Sequence, residues 1–212
     1  MQQGSSNGDF DAALTAGVAI FNSGQYHSAH DAWEREWLSL ESGTPNERFL
    51  HGLIQYTAAV HHAAHDNHVG ARGLATSART YLAGLSSTHR NVAITPLRHG
   101  LAAIALDPTV VHRHGPPPLL VNGVALLPED LTTAGLQSAA SVLAAEDDDI
   151  PIELIDDAIQ YITIDPIRHL LIDLIRHSER RATILPRLRA HVERETAKDA
   201  DVSGLFNGDS SG

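Results

Sequence analysis

The chain has 212 residues, with 26 acidic against 15 basic side chains and a formal net charge of −11, a balance that opposes the clustered positive charge a nucleic-acid surface needs. It contains no cysteine, which excludes disulfides, thiolate chemistry, cysteine-ligated zinc and iron–sulfur clusters. The start, MQQGSSNGDFD, has neither a basic region nor an apolar run, and no apolar stretch approaches the roughly 20 residues that span a bilayer, so a cytoplasmic protein with no membrane segment is expected.

Residues 1 to 8 are rich in Gly, Ser, Gln and Asn and are expected to be a disordered tail. Asp9 or Asp11 can cap a first helix that turns Ala13, Leu14, Gly17, Val18 and Phe21 toward a core, and Gly24 ends it. The spacing of Tyr26, His30, Trp33 and Trp37 predicts a second helix over about 25–40, with Glu34 one turn beyond His30 at the edge of the stripe. Ser42 to Asn46 breaks the chain. A third helix is expected over about 47–64, with Phe49, Leu53, Tyr56 and Val60 as its apolar stripe and His51, Gln55 and His62 near one another elsewhere on the wheel. Asp66-Asn67 turns the chain into a fourth helix, about 69–85. Two antiparallel hairpins result, and they are expected to join in one bundle rather than a repeat array, whose units of this size must number about three to bury a core.

Pro96 opens a further helix that ends at Asp107-Pro108. Pro116, Pro117 and Pro118 forbid helix, and the apolar runs on either side of Asn122-Gly123 predict a small β-hairpin over 119–126, because both turn residues accept positive φ. Helix returns over 130–145 and 151–163, separated by the acidic run Asp147 to Asp149. A last stretch from Pro166 to about Lys198 carries Leu170, Leu171, Leu174 and Ile175, with Pro186 expected to kink or break it. The reading is therefore an all-α bundle with one small β-hairpin: a tail (1–8), a helical domain (9–128), a helical extension packed on it (129–198) and a second tail (199–212).

The blocks around the second and third helices resemble the domain of unknown function 309 family, small helical proteins of bacteria and archaea. Its signature reads roughly F-N-x-G-x-Y-x-x-A-H-E-x-L-E-x-x-W, then G-L-I-Q, a later H, and G-N-x-x-G-A. Phe21, Asn22, Gly24, Tyr26, Ala29, His30, Glu34 and Trp37 match the first block; Gly52, Leu53, Ile54, Gln55, His62, Asn67, Gly70 and Ala71 match the second. Asp31 replaces the glutamate after the histidine, Trp33 a leucine, Arg35 a second glutamate and Asp66 a glycine. The resemblance covers about residues 10–110 and implies a fold and a candidate site, with no activity attached. The scarcity of lysine, with Lys198 alone, and the excess of aspartate resemble the acidic proteins of salt-loving archaea.

Seven of the 14 histidines lie between His27 and His68. His27, His61, His65 and His68 fall where a helix faces solvent or a loop. His30, Glu34 and His62 are the candidate metal ligands, two from one helix at i, i+4 and one from the facing helix, leaving an open position for water. Gln55, Asn67, Tyr26 and Trp37 are the candidate ligand pocket around them. Two metals are not expected, since only Glu34 and Asp31 supply carboxylates nearby. The same polar groups can instead form a hydrogen-bonded core network that fixes helix register, in which case the helical hairpins serve as a protein-interaction module. No nucleophile elbow, dinucleotide fingerprint or phosphate-binding loop occurs. The reading is of a cytoplasmic helical protein that takes a divalent metal or a small polar ligand, binds no nucleic acid, and has room on its surface for a homodimer or another protein partner.

Overall fold

The computed structural model describes residues 7–207, and their side chains as far as residue 201. Helices α1 (Asn7–Asn22), α2 (Tyr26–Ser39), α3 (Pro45–Ala64), α4 (His68–Leu82) and α5 (Ile94–Leu106) each pack against the next. A short helix α6 (Val110–His114) follows, then α7 (Thr133–Glu146), α8 (Ile152–Gln160), α9 (Asp165–Arg176) and α10 (Arg181–Asn207). The protein is mainly helical, as expected. Helix α7 lies against both α1 and α2, and α9 packs on α7 and α10, so one continuous core runs from Phe10 to Val192.

Local signals explain most of the boundaries. Gly24, at φ +86°, ends α1 in a left-handed turn: its N–H donates to the Phe21 carbonyl, and the Gln25 N–H to that of Ile20. Thr44 caps α3 by accepting from the Glu47 N–H at 3.3 Å, with Pro45 in the first helical position. Gly17 lies directly under the Trp33 indole, where an added Cβ would come within 2.2 Å of Nε1; this close approach lets the fully buried ring sit flat on α1 and donate to the Leu14 carbonyl at 3.2 Å. The predicted stripe of α3 is buried throughout, with Phe49, Leu53, Tyr56 and Val60 all at 0% exposure.

The hairpin predicted over 119–126 is present as β3 (Leu120–Val121) and β4 (Val124–Ala125), with Asn122 and Gly123 both at positive φ. It belongs to a larger unit. β1 (Thr88–His89) and β2 (Val92–Ala93) form a second hairpin across Arg90-Asn91, whose φ values are also positive, and the sheet order is β1-β2-β3-β4, antiparallel throughout. Two-residue strands are too short for alternation to reveal them, so the first hairpin is not predicted.

Several expectations need correction. Asp9 and Asp11 are not the N-cap of α1, because the helix begins at Asn7 and both lie inside it; of the predicted N-terminal tail, residues 1–6 lie outside the described residues. The long C-terminal helix breaks at His177 and a tight turn over Ser178–Arg180, not at Pro186. The stretch His177 to Arg180 offers no apolar side chain to continue the stripe of α9. Pro186 sits in the second turn of α10, which continues through it with Ile184, Leu188 and Val192 facing the core. That helix runs on to Asn207, where a tail is predicted from residue 199; residues 208–212 lie outside the described residues.

Candidate functional site

Helices α2 and α3 leave between them a cleft of about 210 Å³, lined by Tyr26, His27, His30 and Asp31 on one wall and Thr57, Ala58, His61 and His62 on the other. The small residues Ala58 and Ala59 let the helices approach, and the buried Thr57 hydroxyl turns back to the Ile54 carbonyl at 2.7 Å. Tyr26 rests on Phe21 with ring centroids 5.1 Å apart, and burial pushes its hydroxyl pKa up. The phenol is therefore a neutral hydrogen-bonding group at the cleft wall.

Asp31 organises the polar end of this cleft. Its Oδ1 is 2.9 Å from His30 Nδ1, and its Oδ2 is 2.9 Å from His27 Nδ1. The side chain is only 17% exposed. Ligand-capable atoms of His30, Asp31 and Glu34 lie within 4.8 Å of one another, and those of His27, Asp31 and Glu146 do likewise. His27, His30, Asp31 and Glu34 come from two successive turns of α2, where positions i, i+3, i+4 and i+7 share a face. Glu146 comes from the end of α7. A hydrogen bond with Asp31, then burial, then the Asp31 charge raise the Glu146 pKa, with Glu34 adding to the effect and His27 opposing it.

The other expected members are placed differently. His62 lies on the far wall of the cleft and forms no three-ligand group with His30 and Glu34 among the described residues. Its Nδ1 is held at 2.8 Å by the Asn67 amide nitrogen, while Asn67 Oδ1 caps α4 by accepting from the Gly70 N–H at 3.0 Å. Gln55 is half-buried on α3 and not part of the cleft lining. Trp37 belongs to a separate cleft with Glu47, His51 and Tyr81; its Nε1 donates to Glu47 Oε1 at 2.9 Å, and His51 stacks on Tyr81 with centroids 3.7 Å apart.

Four residues of the site are absent from the predicted set, first among them Asp31, which the sequence offers only as a nearby carboxylate. His27 and His61 are exposed, as their positions suggest, yet both line the cleft. Burial, then the neighbouring His65, His62 and His27, lower the His61 pKa and keep that ring neutral. The i, i+4 spacing of His27 and Asp31 is the signal that could have found His27. For Glu146 there is none, because it arrives from more than a hundred residues away.

The cleft is thus built from the two blocks whose residues carry the family resemblance. Residues 14–74 match the family model described as Domain of unknown function (DUF309). That DUF309 match is shorter than the span of 10–110 expected from the motifs, and it contains both walls of the cleft but not Glu146. No curated protein matches the chain. Within the DUF309 segment, Asn22, Tyr26, His30, Glu34, Gly52, His62 and Asn67 all have defined tasks: Asn22 holds the hairpin described below, Gly52 meets Leu82 where an added Cβ would come within 2.6 Å, and the remaining five form or border the cleft.

Proposed function

We propose that this protein is a divalent-cation-binding helical domain, with His30, Asp31 and Glu34 as ligands at the edge of the α2–α3 cleft. One observation carries the reading: an imidazole and two carboxyl groups from a single helical face bring ligand atoms within 4.8 Å of one another. One nitrogen and two oxygens make a borderline-hard donor set suited to zinc, manganese or iron, and three protein ligands leave positions open to water or substrate. Relative to the set expected from sequence, Asp31 takes the place of His62. The cleft beside it, with imidazoles and a phenol on its walls, suits a small polar ligand.

The test is a thermal melt of the wild type, His30→Ala and Glu34→Gln, in chelator and then with zinc, manganese or iron. Saturating metal at about a hundred times Kd should raise wild-type stability by roughly 2.7 kcal/mol. Both variants should lose that increment while keeping the chelated fold. Identical wild-type melts in every condition, with no metal found on elemental analysis, would overturn the reading and favour a structural hydrogen-bond network in an interaction module.

A further inference from the structure

The arrangement around Asp31 extends beyond one cation. Asp31 belongs to both ligand groups, one with His30 and Glu34 and the other with His27 and Glu146. Its two oxygens are divided between them: Oδ1 faces His30 and Oδ2 faces His27, each at 2.9 Å. A carboxylate whose oxygens each face a separate histidine–carboxylate pair has the disposition of a bridge between two ions. Oδ2 is also sealed from solvent, and no N–H group of the protein is hydrogen-bonded to it although His27 Nδ1 lies 2.9 Å away. A buried carboxylate oxygen left in that state is costly, and a cation satisfies it without needing a donor's angle.

Charge points the same way. Asp31, Glu34 and Glu146 gather three carboxyl groups around two histidines, an excess of negative charge that cations placed among them would offset. We infer that the site holds two divalent transition-metal ions sharing Asp31, the second bound by His27 and by Glu146 of α7. This rests on the first cation site proposed above and adds to it a partner ion contributed in part from outside the DUF309 segment. Each ion then has one nitrogen and two oxygen ligands from the protein, and the second faces the cleft through the exposed His27. Paired ions of this kind polarise and orient a ligand that bridges them.

The experiment loads the full chain, purified without a histidine tag, with manganese(II) and, in a parallel sample, zinc(II). It measures bound metal per chain by elemental analysis and records the electron paramagnetic resonance spectrum of the manganese form. Wild type should bind two ions per chain and give an exchange-coupled manganese spectrum. Glu146→Gln changes an exposed side chain, so the fold should survive, as circular dichroism will verify; it should bind one ion with an isolated six-line spectrum. Asp31→Asn should lose both ions. If wild type binds one ion of either metal, lost in Glu34→Gln and unchanged in Glu146→Gln, the second site is overturned while the first stands. If neither metal binds, both proposals fall.

Discussion

Asn22 and Leu119 exchange two hydrogen bonds, each of 2.9 Å: the Asn22 amide nitrogen donates to the Leu119 carbonyl, and the Leu119 N–H donates to Asn22 Oδ1. The same amide nitrogen also donates to the Leu126 carbonyl at 2.9 Å, so one side chain holds both ends of the β3–β4 hairpin against the end of α1. Asn22→Asp keeps the shape but replaces the double donor by a carboxylate facing two carbonyls. It should cost roughly 1–3 kcal/mol, with the larger loss at neutral pH than at pH 3, where a protonated acid can donate once. Equal denaturant midpoints for wild type and variant at both pH values would show the clamp to be unimportant.

Glu47 gives the clearest pH dependence. Burial alone would raise its pKa, but hydrogen bonds from Trp37, from the Gly43 N–H and from His51, together with the His51 charge, hold it below the ordinary value of 4.5. A depressed carboxyl contributes stability that is complete above that ordinary value and is lost as pH falls through the lowered one. The difference in melting temperature between wild type and Glu47→Gln should therefore be largest at neutral pH and shrink below about pH 4.5. A difference that stays constant down to pH 3 would contradict this assignment.

Gly17→Ala places a methyl group into the Trp33 indole, which is fully buried and cannot swing aside. Overpacking of this kind should cost about 1–3 kcal/mol in urea unfolding. The double variant with Trp33→Leu, which installs the residue of the family signature, should recover part of that loss. An additive double variant would mean that the two positions do not press on each other.

Gly123→Val tests backbone conformation alone. Nothing lies within 4 Å of a Cβ added there, so the cost comes from φ +84°, roughly 1–2 kcal/mol for an L-residue in the left-handed region and more for a β-branched one. Amide exchange should quicken in β3 and β4 while α2 and α3 keep their protection. Uniform loss of protection across the protein would show that the hairpin is not peripheral.

With 26 acidic and 15 basic side chains, unscreened repulsion should lower the unfolding midpoint in dilute buffer relative to molar potassium chloride. Equal midpoints in the two would count against a salt-adapted surface.

Helix positions were legible in the sequence because Phe49, Leu53, Tyr56 and Val60, or Leu170, Leu171, Leu174 and Ile175, repeat with the helical period and are buried as that period requires. The β3–β4 turn was legible because Asn122 and Gly123 tolerate positive φ. What escaped depends on tertiary placement. Pro186 reads as a breaker, yet helix α10 has enough buried contacts through Ile184, Leu188 and Val192 to continue past one lost hydrogen bond. In the candidate site, the face shared by His30 and Glu34 follows from spacing alone. That Asp31 would also meet Glu146 follows only from how α7 crosses α2.

The Asn67 cap has a chemical effect on the cleft. Because Oδ1 is committed to the Gly70 N–H, the amide can turn only its NH2 toward His62, and a ring nitrogen that receives a proton donor must present its lone pair. In neutral His62 the proton therefore resides on Nε2. A helix cap thus fixes a tautomer. The imidazole offers an N–H rather than a lone pair from its other nitrogen, so the α3 wall carries a hydrogen-bond donor where the α2 wall carries the Asp31 carboxyl group. The two walls of one small cleft are thus of opposite character, and a polar ligand placed between them would meet a donor on one side and carboxyl groups on the other.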